Sequence, residues 1–146
     1  MCAKKGMILV NSAGNSADEQ WKLITSPADA VDVLTVGALT VDEKNTNFSS
    51  LGNTADGRIK PDVMALGQEV WLVSPSGQFS PGAGTSFASP IMCGMVACLW
   101  QALPKLNAYQ IMDIVRKSGN NAEHPDNVYG NGLPDFLKAW EKGLNQ

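Results

Sequence analysis

The chain has 146 residues, enough for one globular domain with its own core. Its net charge is −3, with 17% charged and 44% hydrophobic residues. There is no basic stripe, which argues against a nucleic-acid partner. No unbroken apolar run reaches about 18 residues, which argues against a membrane span.

The opening, Met1–Val10, places basic residues before a short apolar run. Without a cleavage site it reads as a strand and not as a signal peptide. Met7–Ala13 is a continuous apolar run, which predicts a buried strand broken by Gly14-Asn15. A polar stretch follows, with a helical turn expected around Asp18–Leu23. Val33–Leu39 is a second β-branched run. After a long region rich in Asn, Gly and Ser, the segments beginning at Lys60 and Glu69 read as short strands, limited by Pro61 and Pro75.

At Thr85 the period changes. Ser86 to about Leu103 is apolar almost all round, which predicts a helix buried inside the protein. Pro90 is placed near its first turn, and Pro104 ends it. Asn107 and Gln110 have capping-box spacing. Ile111, Ile114 and Val115 then share a face, and Gly119 stops that helix. A last helix starts near Pro134, read as a first helical position, with Phe136, Leu137 and Trp140 on its apolar side. Alternating strands followed by helices predict an α/β domain with a parallel sheet.

Of the cysteines, Cys93 and Cys98 are five apart on one helix, so they point about 140° apart and cannot bridge. Buried free thiols are expected for both, and with Cys2 they form no disulfide or zinc framework. Asp18, Asp29, Asp32, Asp56 and Asp126 lack calcium-loop spacing and read as solvated loop carboxylates. No metal or cofactor is expected.

Two readings of Ser86 stand side by side. At the seam between Gly82–Gly84 and a helix it is a cap residue, or it is a nucleophile with the helix N–H groups as oxyanion donors. Gly84–Pro90, "GTSFASP", resembles the serine motif of the subtilases, the subtilisin-like serine peptidases. Gly6–Asn15, "GMILVNSAGN", is similar to that family's strand ending in the oxyanion asparagine. Ser26-Pro27 with Val33–Leu39, Asn47–Gly52, Lys60–Gly67 and Tyr129–Ala139 resemble further family segments, in the family's order.

The resemblance covers nearly the whole chain and corresponds to the C-terminal part of a subtilase catalytic domain. It implies a partial subtilisin-like parallel sheet, with a buried helix after the catalytic serine. It makes Ser86 the nucleophile and Asn15 the side-chain donor to the oxyanion, beside the Ser86 N–H. Ser12, Ala13, Gly14, Ser26 and Pro27 would line part of the substrate pocket. The plainer readings are a turn residue for Asn15 and ordinary strand-end and loop structure for the other five. The chain departs from the pattern at Phe87, where methionine is common, at Ile91–Gly94, and at Leu66, where proline is frequent.

The larger departure is a missing base. Subtilases run Asp, His, oxyanion Asn, Ser, yet no Asp or His precedes Asn15. The sole histidine, His124, falls in a polar loop beyond the serine and matches no triad position. The resemblance therefore implies that residues 1–146 lack the Asp- and His-bearing half. It also implies an endopeptidase fragment, inactive alone, that works by acyl-enzyme chemistry when complete. The alternative is a non-catalytic peptide-binding or scaffold domain. Expected partners are a peptide or protein substrate, and either a chain carrying the missing half or a second copy of this one. The family favours a secreted or cell-envelope location.

Overall fold

A computed structural model of the chain describes residues 2–145. Three parallel strands form the main sheet: β1 (Leu9–Ser12), β2 (Val33–Leu39) and β3 (Val63–Leu66), with β2 in the middle. Leu9 pairs with Val33 and Ser12 with Val36; Val36 pairs with Val63 and Leu39 with Leu66. Every residue of β2 is buried, as its β-branched run predicts for a central strand. β4 (Val70–Val73) and β5 (Phe79–Gly82) form a separate antiparallel hairpin. α1 (Thr85–Ala102), α2 (Ala108–Lys117) and α3 (Phe136–Leu144) follow.

The core forms where α1 lies on the sheet. Ala88, Met92, Val96 and Leu99 recur at helical spacing and are buried with Leu34, Val36, Ala38, Val63 and Ala65. α2 adds Ile111, Met112, Ile114 and Val115. Its capping box forms as the spacing predicts: Asn107 Oδ1 accepts from the N–H of Gln110, and Gln110 Oε1 accepts from the N–H of Asn107.

A buried ionic clip fastens α2 to the sheet. Lys60 Nζ donates to Val33 O at 2.9 Å, to Thr35 Oγ1 at 3.0 Å and to Asp62 Oδ2 at 2.6 Å. Asp62 Oδ2 also accepts from Thr35 N–H, and its Oδ1 accepts from Arg116 Nε at 2.8 Å. Burial pushes the Lys60 ammonium below its usual pKa, against the pull of Asp62.

Several expectations are corrected. β1 is not buried: Leu9 is exposed and the rest half-buried, because among the described residues only β2 pairs with it and its other edge is open. α1 is buried on one face only. Pro90, Ile91, Cys93, Gly94, Met95, Ala97 and Cys98 face outward, since the described residues pack against a single side. Cys93 and Cys98 are thus exposed, not buried. Asp18–Leu23 makes turns but no helix. Pro90 lies beyond the first turn and, lacking an N–H, leaves the Ser86 carbonyl without its helical donor. The cap of α3 is Asp135, whose side chain accepts from Leu137 and Lys138 N–H, so Pro134 sits before the helix.

Candidate active site

The site assembles at the carboxyl ends of the strands. β1 ends in a tight turn at Gly14, whose φ of +110° suits only glycine and whose missing side chain makes room for Ser50 Oγ. Ser50 N–H donates to Gly14 O, and Ser50 Oγ accepts from Ser16 N–H, so the turn is held from two sides. Just beyond β3, the Gly67 carbonyl accepts from Gly84 N–H at 2.7 Å. These two anchors bring Asn15 to the start of α1.

Thr85 joins them. Its Oγ1 accepts from Gly14 N–H at 3.2 Å and donates to Asn15 Oδ1 at 2.9 Å. Its backbone N–H also donates to Asn15 Oδ1, at 2.9 Å. A main-chain N–H can only donate, so the atom it meets must be the amide oxygen. The orientation of Asn15 is thereby fixed, and its Nδ2 turns the other way, toward Gly84.

Nδ2 of Asn15, the N–H of Ser86 and Oγ of Ser86 have no partner among the described residues. A Cβ built on Gly84 would lie 3.5 Å from Asn15 Nδ2 and 3.8 Å from Ser86 N, with the Phe87 ring also 3.8 Å away. Two free donors therefore flank one small space, which exists because residue 84 has no side chain. The space opens at a helix N-terminus, where partial positive charge favours an anion. Ser86 itself is exposed beside it. Chemically, the arrangement can hold an oxyanion next to a hydroxyl.

The remaining candidates fall nearby. Ser12 and Gly14 are half-buried at the end of β1. Ala13 is buried in a small cluster with Ile24 and Ala28. That cluster seats the turn carrying Ser26 and Pro27, both exposed, next to the strand end. Sequence reasoning placed Gly84 and Thr85 in the serine motif but missed their work toward Asn15: Thr85 orients the amide and Gly84 leaves the space. The only signal was their adjacency to Ser86 in "GAGTS".

Nothing in the described chain acts as a base toward Ser86. His124 is exposed and lines a cavity with Lys117, Lys138 and Lys142 whose walls include none of Asn15, Gly84 and Ser86. Three of the loop carboxylates are engaged elsewhere. Arg58 and Thr54 hold Asp56 down to about 2. Asp126 Oδ1 accepts from the N–H groups of Val128 and Tyr129. Asp32 accepts from the Tyr109 hydroxyl.

Comparison with known proteins supplies the context. The Subtilase family (Peptidase_S8) model matches residues 1–132. Serine protease AprX of Bacillus subtilis (strain 168) is 32% identical over 151 residues, covering 87% of this chain and 34% of AprX. Subtilisin DY of Bacillus licheniformis is 32% identical over 129 residues, covering 88% of this chain and 44% of its own length. The chain thus spans less than half of these relatives. Among solved structures, the self-cleaved protease domain of PatA superposes with a TM-score of 0.79 at 23% identity, over 99% of this chain and 52% of that one. The PatG macrocyclase in complex with peptide gives 0.80 at 24%, over 99% and 45%. These two likenesses speak for the fold, an α/β subtilisin-like arrangement.

Proposed function

Since this chain belongs to the subtilase family, we propose that it carries the serine and both oxyanion donors of a peptide-hydrolysing site whose Asp and His lie on other polypeptide. Ser86 is the nucleophile; Asn15 Nδ2 and the Ser86 N–H receive the oxyanion. Ser12–Gly14 and Ser26-Pro27 form one wall for the substrate chain. One observation carries this reading: two unpaired donors, one of fixed orientation, flank an empty space beside an unpaired serine hydroxyl.

Residues 1–146 act as the C-terminal part of a catalytic domain. The support is the outward face of α1, where Ile91 is 40% and Met95 42% exposed and no charged residue appears. From Val70 to Pro104 the sequence contains no Asp, Glu, Lys, Arg or His. An apolar, uncharged helix face of this kind is the chemistry of a buried contact. Polypeptide bearing the Asp and His would cover it and pair with the free edge of β1. The substrate is a peptide or protein, and a secreted or envelope setting suits the family.

Without a base the hydroxyl is a weak nucleophile at neutral pH. A chromogenic peptide assay on the chain alone should show no turnover. Fusion to an Asp- and His-bearing segment, encoded upstream or taken from AprX, should restore it by about 10⁴-fold or more, the scale known in this family for loss of triad members. Turnover by the isolated chain contradicts the proposal. A fused protein that binds peptide without cleaving it would favour the scaffold reading instead.

A further inference from the structure

The loop from Gly119 to His124 plays no part in the Ser86 site. With the last turn of α2 and one face of α3 it bounds a cavity of about 380 Å³. Its walls carry Lys117, Lys138, Lys142 and His124 against a single carboxylate, Glu123. The chain as a whole has more acidic than basic residues, 14 against 11, so this spot inverts the general balance.

Lys138 and Lys142 are one turn apart on α3 and so share a face. Neither has an ion-pair partner among the described residues. Lys117 is held by Asp113 at 2.7 Å, four residues back on α2. The loop is firmly built. Asn120 N–H donates to Leu133 O, Asn121 N–H to Asn131 O and His124 N–H to Asn121 O. The Asn121 side chain spans Gly130 O and Asp126. The last carbonyls of α2 are met by the N–H groups of Ser118 and Gly119, which lessens the negative end of that helix beside the cavity.

We propose that this cavity binds a phosphate-class dianion, in the form of a small phosphomonoester. Lys138 and Lys142, exposed and without an ion-pair partner among the described residues, present two ammonium groups to one space, where a dianion would meet both. Lysine supplies all the fixed positive charge. Its ammonium is a point charge with rotatable donors, suited to a tetrahedral group approached from several sides. The lining holds no arginine, so an anion there would be met by point charges and not by a bidentate fork. The volume falls within the range of small-molecule pockets and leaves room for an organic body beside the phosphoryl group.

Isothermal titration of the full chain with inorganic phosphate, O-phosphoserine and acetate, at matched ionic strength, tests this. Phosphate and phosphoserine should bind saturably, phosphoserine more tightly, and acetate should not. Lys138→Gln with Lys142→Gln should weaken phosphoserine binding at least tenfold, while Lys4→Gln with Lys5→Gln leaves it unchanged. Neither cavity lysine has a partner among the described residues, so circular dichroism of the variant should match the parent. Phosphate binding without phosphoserine binding would keep the anion site and overturn the monoester. Absence of saturable phosphate binding, equal affinity in the cavity variant, or equally tight acetate would overturn the site itself.

Discussion

Gly84→Ala should abolish peptide hydrolysis by the complemented protein, with a loss in kcat/KM of about 10³ or more. The added methyl would occupy the space between Asn15 Nδ2 and the Ser86 N–H, the place proposed for the oxyanion. Loss of one oxyanion donor is known in this family to lower kcat by about 10²–10³. The methyl obstructs both donors together. Gly84 also has φ +152° and ψ 152°, a region open in practice to glycine alone, so the variant should lose about 1–3 kcal/mol of stability as well. Asn15→Asp separates the two effects: it keeps an oxygen to accept from Thr85 N–H and Oγ1, removes the Nδ2 donor and leaves residue 84 unchanged. Steady-state kinetics beside thermal unfolding distinguishes them. Activity retained in Gly84→Ala would remove the oxyanion from this space.

Asp62→Ala should be the most damaging change to the fold. It leaves the Lys60 ammonium, only 3% exposed, with two neutral acceptors and no countercharge, and it frees Arg116. Breaking one partner of a buried ion pair costs about 3–5 kcal/mol, against a total of about 5–15 kcal/mol for an ordinary domain. Urea unfolding should therefore show a sharply lowered midpoint or no cooperative transition. Adding Lys60→Met to Asp62→Ala should recover part of the loss, because the stranded charge goes with it. A midpoint unchanged within about 0.5 kcal/mol would mean the clip is not a structural element.

Much of this was legible in the residues, for reasons that differ by element. Val33–Leu39 was readable as a strand because it is buried on both faces, and an unbroken β-branched run has few other uses. The capping box of α2 was readable because its chemistry is local. The return strand Phe79–Gly82 escaped notice, since Pro81 and Gly82 mask a pairing that is imposed by Val70–Val73. The exposure of Cys93, Cys98 and β1 was misjudged for another reason. The apolar pattern records what a residue is suited to meet, whereas burial records what the described chain supplies.

The active-site reading divides in the same way. Ser86 and Asn15 are proposed from motifs, because both lie within short segments of distinctive composition. The work of Thr85 in fixing the Asn15 amide is not legible in them, because it depends on a contact across 70 positions of sequence. The sequence holds a single histidine, His124, and it follows Ser86 where the family's order places His before the oxyanion Asn.

Labelling of Ser86 by a fluorophosphonate probe tests the central claim most directly. The isolated chain should label negligibly, and the protein joined to an Asp- and His-bearing segment should label rapidly at Ser86. Fast modification of Ser86 in the isolated chain would contradict the account, since it would mean that residues 1–146 already supply the proton acceptor.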